Sequence, residues 1–306
     1  MFRLEVSGLT EHMRDHRQQK QTTLVLGGTG KIGGRVVAKL AAQGVPTRVG
    51  SRSASPPFDW EDEETWEPVL RDVDSVYVSY YPDLALPGAV DTIGSLVELA
   101  LSSGVRRLVL LSGRGEEGAE LCEQVVRDSG AQWTIVRCAW FSQNYSENFL
   151  LEPILAGEVA LPVGDVREPF VDADDIADVA VAALTERGHS SEVYELTGPR
   201  LLTFAEAVEE IAQAAGRQIS LVPLSIEEFS SALTDDGLPD ELLWLMTYLF
   251  TAVLDGRNSS LTDGVQRALG RPARDFTDYA REVAATGIWA AGARRILRTS
   301  AQADAG

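Results

Sequence analysis

Lysine is almost missing from this chain. Lys20, Lys31 and Lys39 are the only three in 306 residues. Cysteine is scarcer still. Cys122 and Cys138 have no CxxC or metal-ligand spacing, which argues against a disulfide framework and against zinc. The three histidines offer no metal site: His12 and His16 share one helix face without a third ligand, and His189 reads as a solvated loop residue. Basic residues are outnumbered, 27 against 46 acidic ones, for a formal net charge of −19. Phosphate backbones select basic surfaces, so no nucleic-acid partner is expected. No run approaches the ~18 apolar residues of a membrane span, and residues 1–20 are too polar for a signal peptide. These absences leave a cytoplasmic protein with no membrane or nucleic-acid partner, a monomer or homodimer acting on a small molecule.

What is present is alternation. "TLVLG" is an all-apolar strand, followed by a helix to about Gln43 and a second strand in "VPTRVGSR". "FDW" reads as a very short third strand, and "EETWEPVLRDV" as a helix whose acidic start ("EDEE", 61–64) suits the positive end of the helix dipole. "DSVYVSYY", "VRRLVLLSG" and "AQWTIVRC" are strands separated by the helices "PGAVDTIGSLVELALSSG" and "AELCEQVVRDSG". Strands buried on both faces with helical crossovers predict an α/β doubly wound parallel sheet. Regularity fails after about Phe141. It returns in the helix "PFVDADDIADVAVAALTE" and the strand "EVYELTG", and from Thr203 the pattern is mostly helical, interrupted by "ISLVPLS".

Gly27, Gly30 and Gly33 form GxxGxxG directly after the first strand and at the start of a helix. The first glycine permits a tight turn, the second lets backbone approach a pyrophosphate, and the third lets helix pack on strand. The turn therefore predicts a dinucleotide, held by Gly27, Thr29, Gly30, Lys31, Ile32 and Gly33. An NAD site places an acid at the end of the second strand to take the ribose 2′-hydroxyl. Here that end reads Gly50-Ser51-Arg52, with no acid before Asp59. Arg52 can clamp a 2′-phosphate, and Lys31 adds charge. One charge-assisted bond of about 1.5–3 kcal/mol gives roughly 10- to 100-fold preference, so NADP(H) is the expected cofactor. Ser51, Asp59 and Ser112 complete the expected cofactor set. Residues 21–155 are then the Rossmann domain, to which the chain returns at about 168–198. Residues 156–290 form a smaller, mostly helical substrate-capping lobe, and 1–20 and 291–306 are tails.

With these motifs placed, the chain resembles the atypical short-chain dehydrogenase/reductases, specifically NmrA-like NAD(P)-binding proteins and the agroclavine/festuclavine dehydrogenases of ergot alkaloid pathways. "GGTGKIG", "GSRS" followed by "FDWEDEETW", "GVRRLVLLS", "WFSQNYSENF", "PFVDADDIADVA" and "LTGPRLLTFAEAVEEIA" carry the likeness over about residues 22–288. One departure is "VRC" where relatives usually read "VRP", which sets Cys138 where a proline would line the nicotinamide pocket. The resemblance implies reduction of an iminium.

Standard members of that superfamily reduce carbonyls with a Tyr-x-x-x-Lys pair, the tyrosine donating a proton. No lysine follows Lys39, and the helix that should carry the pair reads "GRGEEGAELCEQVV". General acid catalysis contributes about 10²–10⁴-fold, roughly 3–5 kcal/mol, so its loss penalises simple ketones. An iminium becomes a neutral amine without taking a proton, and an extended quinone or enone spreads its charge. Ser112 occupies the position of the family serine. Tyr80, Tyr81, Trp140, Phe141, Asn144 and Tyr145 follow strand ends and are candidates for substrate contact. Tyr81 and Tyr145 are the expected hydroxyl donors, so Tyr81, Tyr145 and Ser112 are the catalytic candidates. "ELLWLMTYLFTAVL", 241–254, is apolar nearly all round and expected to be buried, as the floor of the lobe or a dimer surface. The leading expectation is an NADPH-dependent reductase of imines, iminium ions, conjugated carbonyls or quinones. A non-catalytic redox sensor is the alternative from another class, and a non-redox isomerase or cyclase is a third.

Overall fold

The computed structural model describes residues 22–290; both tails, with His12 and His16, lie outside the described residues. Strand β1 (Thr22–Leu26) runs into the glycine turn, helix α1 (Lys31–Ala42) returns, and β2 (Thr47–Gly50) pairs beside β1. A 3-10 turn at Glu63–Thr65 leads to α2 (Trp66–Leu70) and β3 (Val73–Val78). The alternation continues through α3 (Ala89–Ser102), β4 (Arg107–Gly113), α4 (Glu117–Asp128) and β5 (Gln132–Cys138). Short elements α5 (Asn144–Glu147), α6 (Leu151–Ala156), β6 (Glu158–Leu161) and β7 (Arg167–Glu168) follow. Then α7 (Ala173–Thr185) and β8 (Glu192–Leu196) bring the chain back to the sheet. The rest comprises β9 (Leu202–Thr203), α8 (Phe204–Ala215), β10 (Ser220–Pro223), α9 (Ile226–Asp235), α10 (Asp240–Tyr248), α11 (Gly264–Leu269) and α12 (Phe276–Ala285).

The main sheet has six strands in the order β2-β1-β3-β4-β5-β8, all parallel. Alternate side chains enter different cores, as the strand period requires. Leu24, Leu26, Val76, Val78, Leu108, Leu110 and Ile135 pack with α3 and α4 on one face. Val25, Tyr77, Val109 and Val136 pack with α1 and α7 on the other. The direction of winding reverses between β1 and β3, and the carboxyl ends of the strands there open a crevice. A third core lies beyond this crevice. In it Phe170 sits 5.1 Å from Phe204, 5.6 Å from Phe276 and 5.7 Å from Tyr145, ring to ring. Helix α8 starts on a capping box, in which Thr203 and Glu206 satisfy each other's backbone N–H groups.

Three local expectations need correction. "FDW" is not a strand of the sheet: Phe58 is buried, and Asp59 makes only an isolated bridge to Asp62. His189 is not solvated but buried. Its carbonyl accepts from Thr134 Oγ1 at 2.7 Å and its Nδ1 lies 2.9 Å from the Tyr194 hydroxyl, because the α7–β8 loop folds back against β5. The stretch 241–254 is not wholly buried, since Trp244 is 46% exposed and stacks on Tyr248. "ISLVPLS" is partly strand, β10, which pairs in parallel with β6.

The glycine turn has a sharp steric requirement. A Cβ at Gly33 would fall on the Gly27 carbonyl, whereas one at Gly34 would meet only the Gly28 carbonyl at 3.8 Å. Gly33→Ala should therefore lose about 1–3 kcal/mol in urea unfolding. Gly34→Ala, in the same helix, should be neutral or stabilising by up to about 1 kcal/mol. Equal effects at the two positions would contradict the packing described.

Candidate active site

At the turn, Gly27 adopts φ +69°, and its missing Cβ leaves room for Ser79, whose own Cβ would lie 3.2 Å away. Gly30 precedes helix α1 as its N-cap, with no side-chain cap and no acid in the first turn. Its first amides are thus open to an anion, and the helix dipole favours one. Lys31 Nζ donates to Asn144 Oδ1 at 2.7 Å and stands 5.5 Å over the Phe141 ring. Burial lowers its pKa to about 8, with Glu147 opposing and Arg35 reinforcing the shift. Lys39, by contrast, is tied to Asp174 and Asp178 on α7. Arg52 is exposed on the cavity wall and has no ion-pair partner among the described residues. The Asp59 carboxylate accepts from the Glu61 amide at 3.2 Å, and its carbonyl takes the Trp66 indole N–H at 2.7 Å.

One cavity of about 660 Å³ runs from this turn toward the C-terminal part of the chain. Gly27, Thr29, Gly30, Lys31, Ile32, Gly33, Ser51, Arg52 and Asp59 line one end, and Ser112, Tyr80, Tyr81, Trp140, Phe141 and Asn144 line it further on. Open amides, two basic side chains, a turn that tolerates no Cβ and an elongated crevice fit a dinucleotide.

Tyr145 is the exception among the candidates. Its ring is fully buried between Phe170 and Phe276, its carbonyl takes the Trp289 indole N–H at 2.9 Å, and it does not line the cavity. Helix α5 turns it into the third core, and burial raises its pKa well above the usual phenol range. The role of hydroxyl donor does not suit this position. Ser112 lines the cavity, but its Oγ donates to Glu123 Oε1 at 2.7 Å. Its one proton is therefore already committed. Tyr81, 67% exposed, stands at the cavity rim, and Tyr80 packs edge-on against Trp60 at 4.9 Å.

Several lining residues escaped sequence reasoning. Glu116 folds back so that its carboxyl occupies the space a Cβ on Gly113 would fill, at the carboxyl end of β4. Burial raises its pKa well above the ordinary range, and the adjacent Asp83 carboxyl adds to the effect. Asp83 is raised as well, first by burial, although it accepts from the Ala85 amide at 2.8 Å. Two neighbouring buried carboxyls disfavour double ionisation, so this pair favours holding a proton. Cys138 lines the cavity too, and burial pushes its thiol well above its ordinary pKa, so it is inert there. Leu242, Leu245, Met246, Leu249 and Val253 form an apolar wall, and Glu168 and Asn258 are the polar residues beside it. A periodicity signal existed for the wall; none existed for Asp83, Glu116 or Glu168.

Fold and cavity define a Rossmann-type dinucleotide-binding protein. The chain belongs to the NAD(P)H-binding family, which matches residues 27–187. It is 32% identical to the NAD(P)H azoreductase of Xenophilus azovorans over 286 residues, covering 86% of this chain and 98% of the relative. It is 30% identical to the festuclavine dehydrogenase of Aspergillus fumigatus, covering 85% and 97%. Among solved structures, the NADPH complex of an Escherichia coli NADPH-dependent quinone oxidoreductase superposes with a TM-score of 0.72 at 21% identity. That match covers 85% of this chain and 99% of the other, and shows the shared fold. The resemblance read from the motifs holds.

Two outcomes are expected. Arg52→Ala should erase roughly 10- to 100-fold of preference for NADPH over NADH in direct binding, and an unchanged ratio would contradict the assignment. Lys31 is charged below about pH 8 and neutral above it. NADPH affinity should therefore fall as pH rises through that value, and the fall should vanish in Lys31→Met. A pH-independent wild type would contradict phosphate contact by this amine.

Proposed function

We propose that this protein is an NADPH-dependent reductase of imines or iminium ions and of conjugated carbonyls or quinones, working without a Tyr-x-x-x-Lys pair. The observation that carries this reading is the single cavity joining the glycine turn and Arg52 to an apolar chamber with no such pair on its walls. The names of the relatives, an azoreductase, a festuclavine dehydrogenase and a quinone oxidoreductase, support the same reaction class.

Gly27, Thr29, Gly30, Lys31, Ile32 and Gly33 hold the pyrophosphate, Ser51, Arg52 and Asp59 the adenosine end, and Ser112 borders the nicotinamide end. When bound, the reduced nicotinamide supplies a hydride. Tyr80, Trp140 and Phe141 orient a flat acceptor and exclude water, and Tyr81 guards the rim. Asn144 holds the Lys31 amine at 2.7 Å, fixing that charge on the cavity wall. An iminium becomes a neutral amine without a proton, so for that acceptor the walls need only bind and position. A conjugated carbonyl takes hydride at carbon and a proton at oxygen. Glu116 holds that proton at its carboxyl, and Asp83 keeps it there.

NADPH oxidation, followed at its absorbance band, should show steady turnover with members of a panel of imines, quinones and enones. Glu116→Gln should slow the carbonyl acceptors by about 10²–10⁴-fold and leave iminium turnover unchanged. Equal slowing of both would remove the acid role. Tight NADPH binding with no turnover anywhere on the panel would favour the sensor reading.

A further inference from the structure

Among the described residues, Glu168 is a cavity-lining carboxylate that is fully buried and makes no hydrogen bond or ion pair. Its side chain is 0% exposed, and neither Oε1 nor Oε2 has a hydrogen-bond partner. Strand alternation puts it there. In the two-residue strand β7, Arg167 faces out to Glu206 and Glu168 faces in, opposite Leu202 of β9. The one charged group that acts on it is Arg114, whose guanidinium is already engaged. Arg114 Nε meets Glu195 Oε1 at 2.7 Å, Nη1 donates to the carbonyls of Asn258 and Ser260 at 2.7 and 2.9 Å, and Nη2 donates to Ser260 Oγ at 2.8 Å. The same cavity is lined by Trp140, Leu245, Met246, Leu249 and Val253. A buried carboxylate without a partner is costly, and such groups are found paired. Its persistence in an apolar chamber points to a partner that arrives with the ligand.

We infer that Glu168 is the counter-charge for a flat, cationic acceptor, so that the cavity selects positively charged substrates over neutral ones of the same shape. For the reaction the inference rests on the reductase reading; for binding it rests on the cavity alone. Shielded from bulk water, the carboxylate acts on a cation at the wall with little screening. Burial raises the Glu168 pKa to about 7, and Arg114 opposes that shift. In the empty cavity the group is thus partly protonated near neutrality. A bound cation restores its ionisation and releases the proton to solvent.

The test pairs N-methylacridinium with acridine, matched in shape and, at alkaline pH, differing in charge. Calorimetric titration of the full chain should give N-methylacridinium an advantage that Glu168→Gln cuts by about 10- to 100-fold, with acridine affinity unchanged. Near pH 7, wild-type binding of the cation should release protons, read from the dependence of heat on buffer, with the release falling as pH rises, and Glu168→Gln should release none. Glu168→Gln should melt no lower than wild type, because it removes an uncompensated buried charge. Equal losses for both ligands, or no proton release in wild type, would overturn the inference. So would an effect of Glu168→Gln confined to the ratio of NADP⁺ to NADPH affinity, which would make the oxidised nicotinamide the cation served. NADPH oxidation by N-methylacridinium and by a neutral quinone tests the reductase reading separately. Turnover of both acceptors in the same ratio by wild type and by Glu168→Gln would leave that reading standing and sink this one.

Discussion

The site hangs on Arg137. This residue of β5 lies in register between Ser112 of β4 and Glu195 of β8, so three neighbouring strands present a polar row on one face of the sheet. Its guanidinium is paired on one side with Glu123 of α4, which is 1% exposed, and reaches Glu195 on the other at 3.5 Å. Glu195 in turn holds Arg114, and Arg114 binds the carbonyls of Asn258 and Ser260. The chain of contacts fastens helix, strand ends and the segment after α10 to one another around the cavity. Breaking a buried pair of this kind costs about 3–5 kcal/mol, because the remaining charge is stranded. The same row has chemical consequences. It engages the Ser112 proton and the Arg114 guanidinium, and leaves Glu168 without a hydrogen bond or ion pair among the described residues.

The cavity brings two kinds of group together. Open helix amides, Lys31 and Arg52 lie on its wall at the glycine turn. Asp83, Glu116 and Glu168 line it too, and burial holds all three carboxyls above their ordinary pKa, which favours their protonated forms. In the proposed reaction these groups stand in for the Tyr-x-x-x-Lys pair: positioning and counter-charge would serve an iminium, and a proton-holding carboxyl pair would serve a carbonyl.

Much of this was legible in the residues themselves. The glycine turn, its helix and the parallel strands follow from local spacing, and the steric demand at Gly33 is the one the motif implies. Absence was equally readable: with no lysine beyond Lys39, the usual proton relay could be ruled out from composition. What could not be read was direction and distance. Tyr145 and Trp140 stand a few residues apart in one aromatic segment, yet Tyr145 is enclosed in the third core while Trp140 packs on its edge and lines the cavity. Ser112 matched the family position, but its commitment to Glu123 depends on which face of α4 meets β4. The partners of Arg114 lie 144 and 146 residues downstream. Glu168 belongs to a two-residue strand whose inward face is set by pairing with β9, a contact that no periodicity announces.

Hydride transfer to a carbon acceptor by a site lacking the Tyr–Lys pair can be followed in a single turnover with NADPH deuterated at nicotinamide C4 and a cyclic iminium, read by mass spectrometry of the product amine. Deuterium is expected on the former iminium carbon, in stoichiometric amount with cofactor oxidised. An amine without deuterium, or cofactor recovered unchanged while the protein binds both ligands, would contradict it.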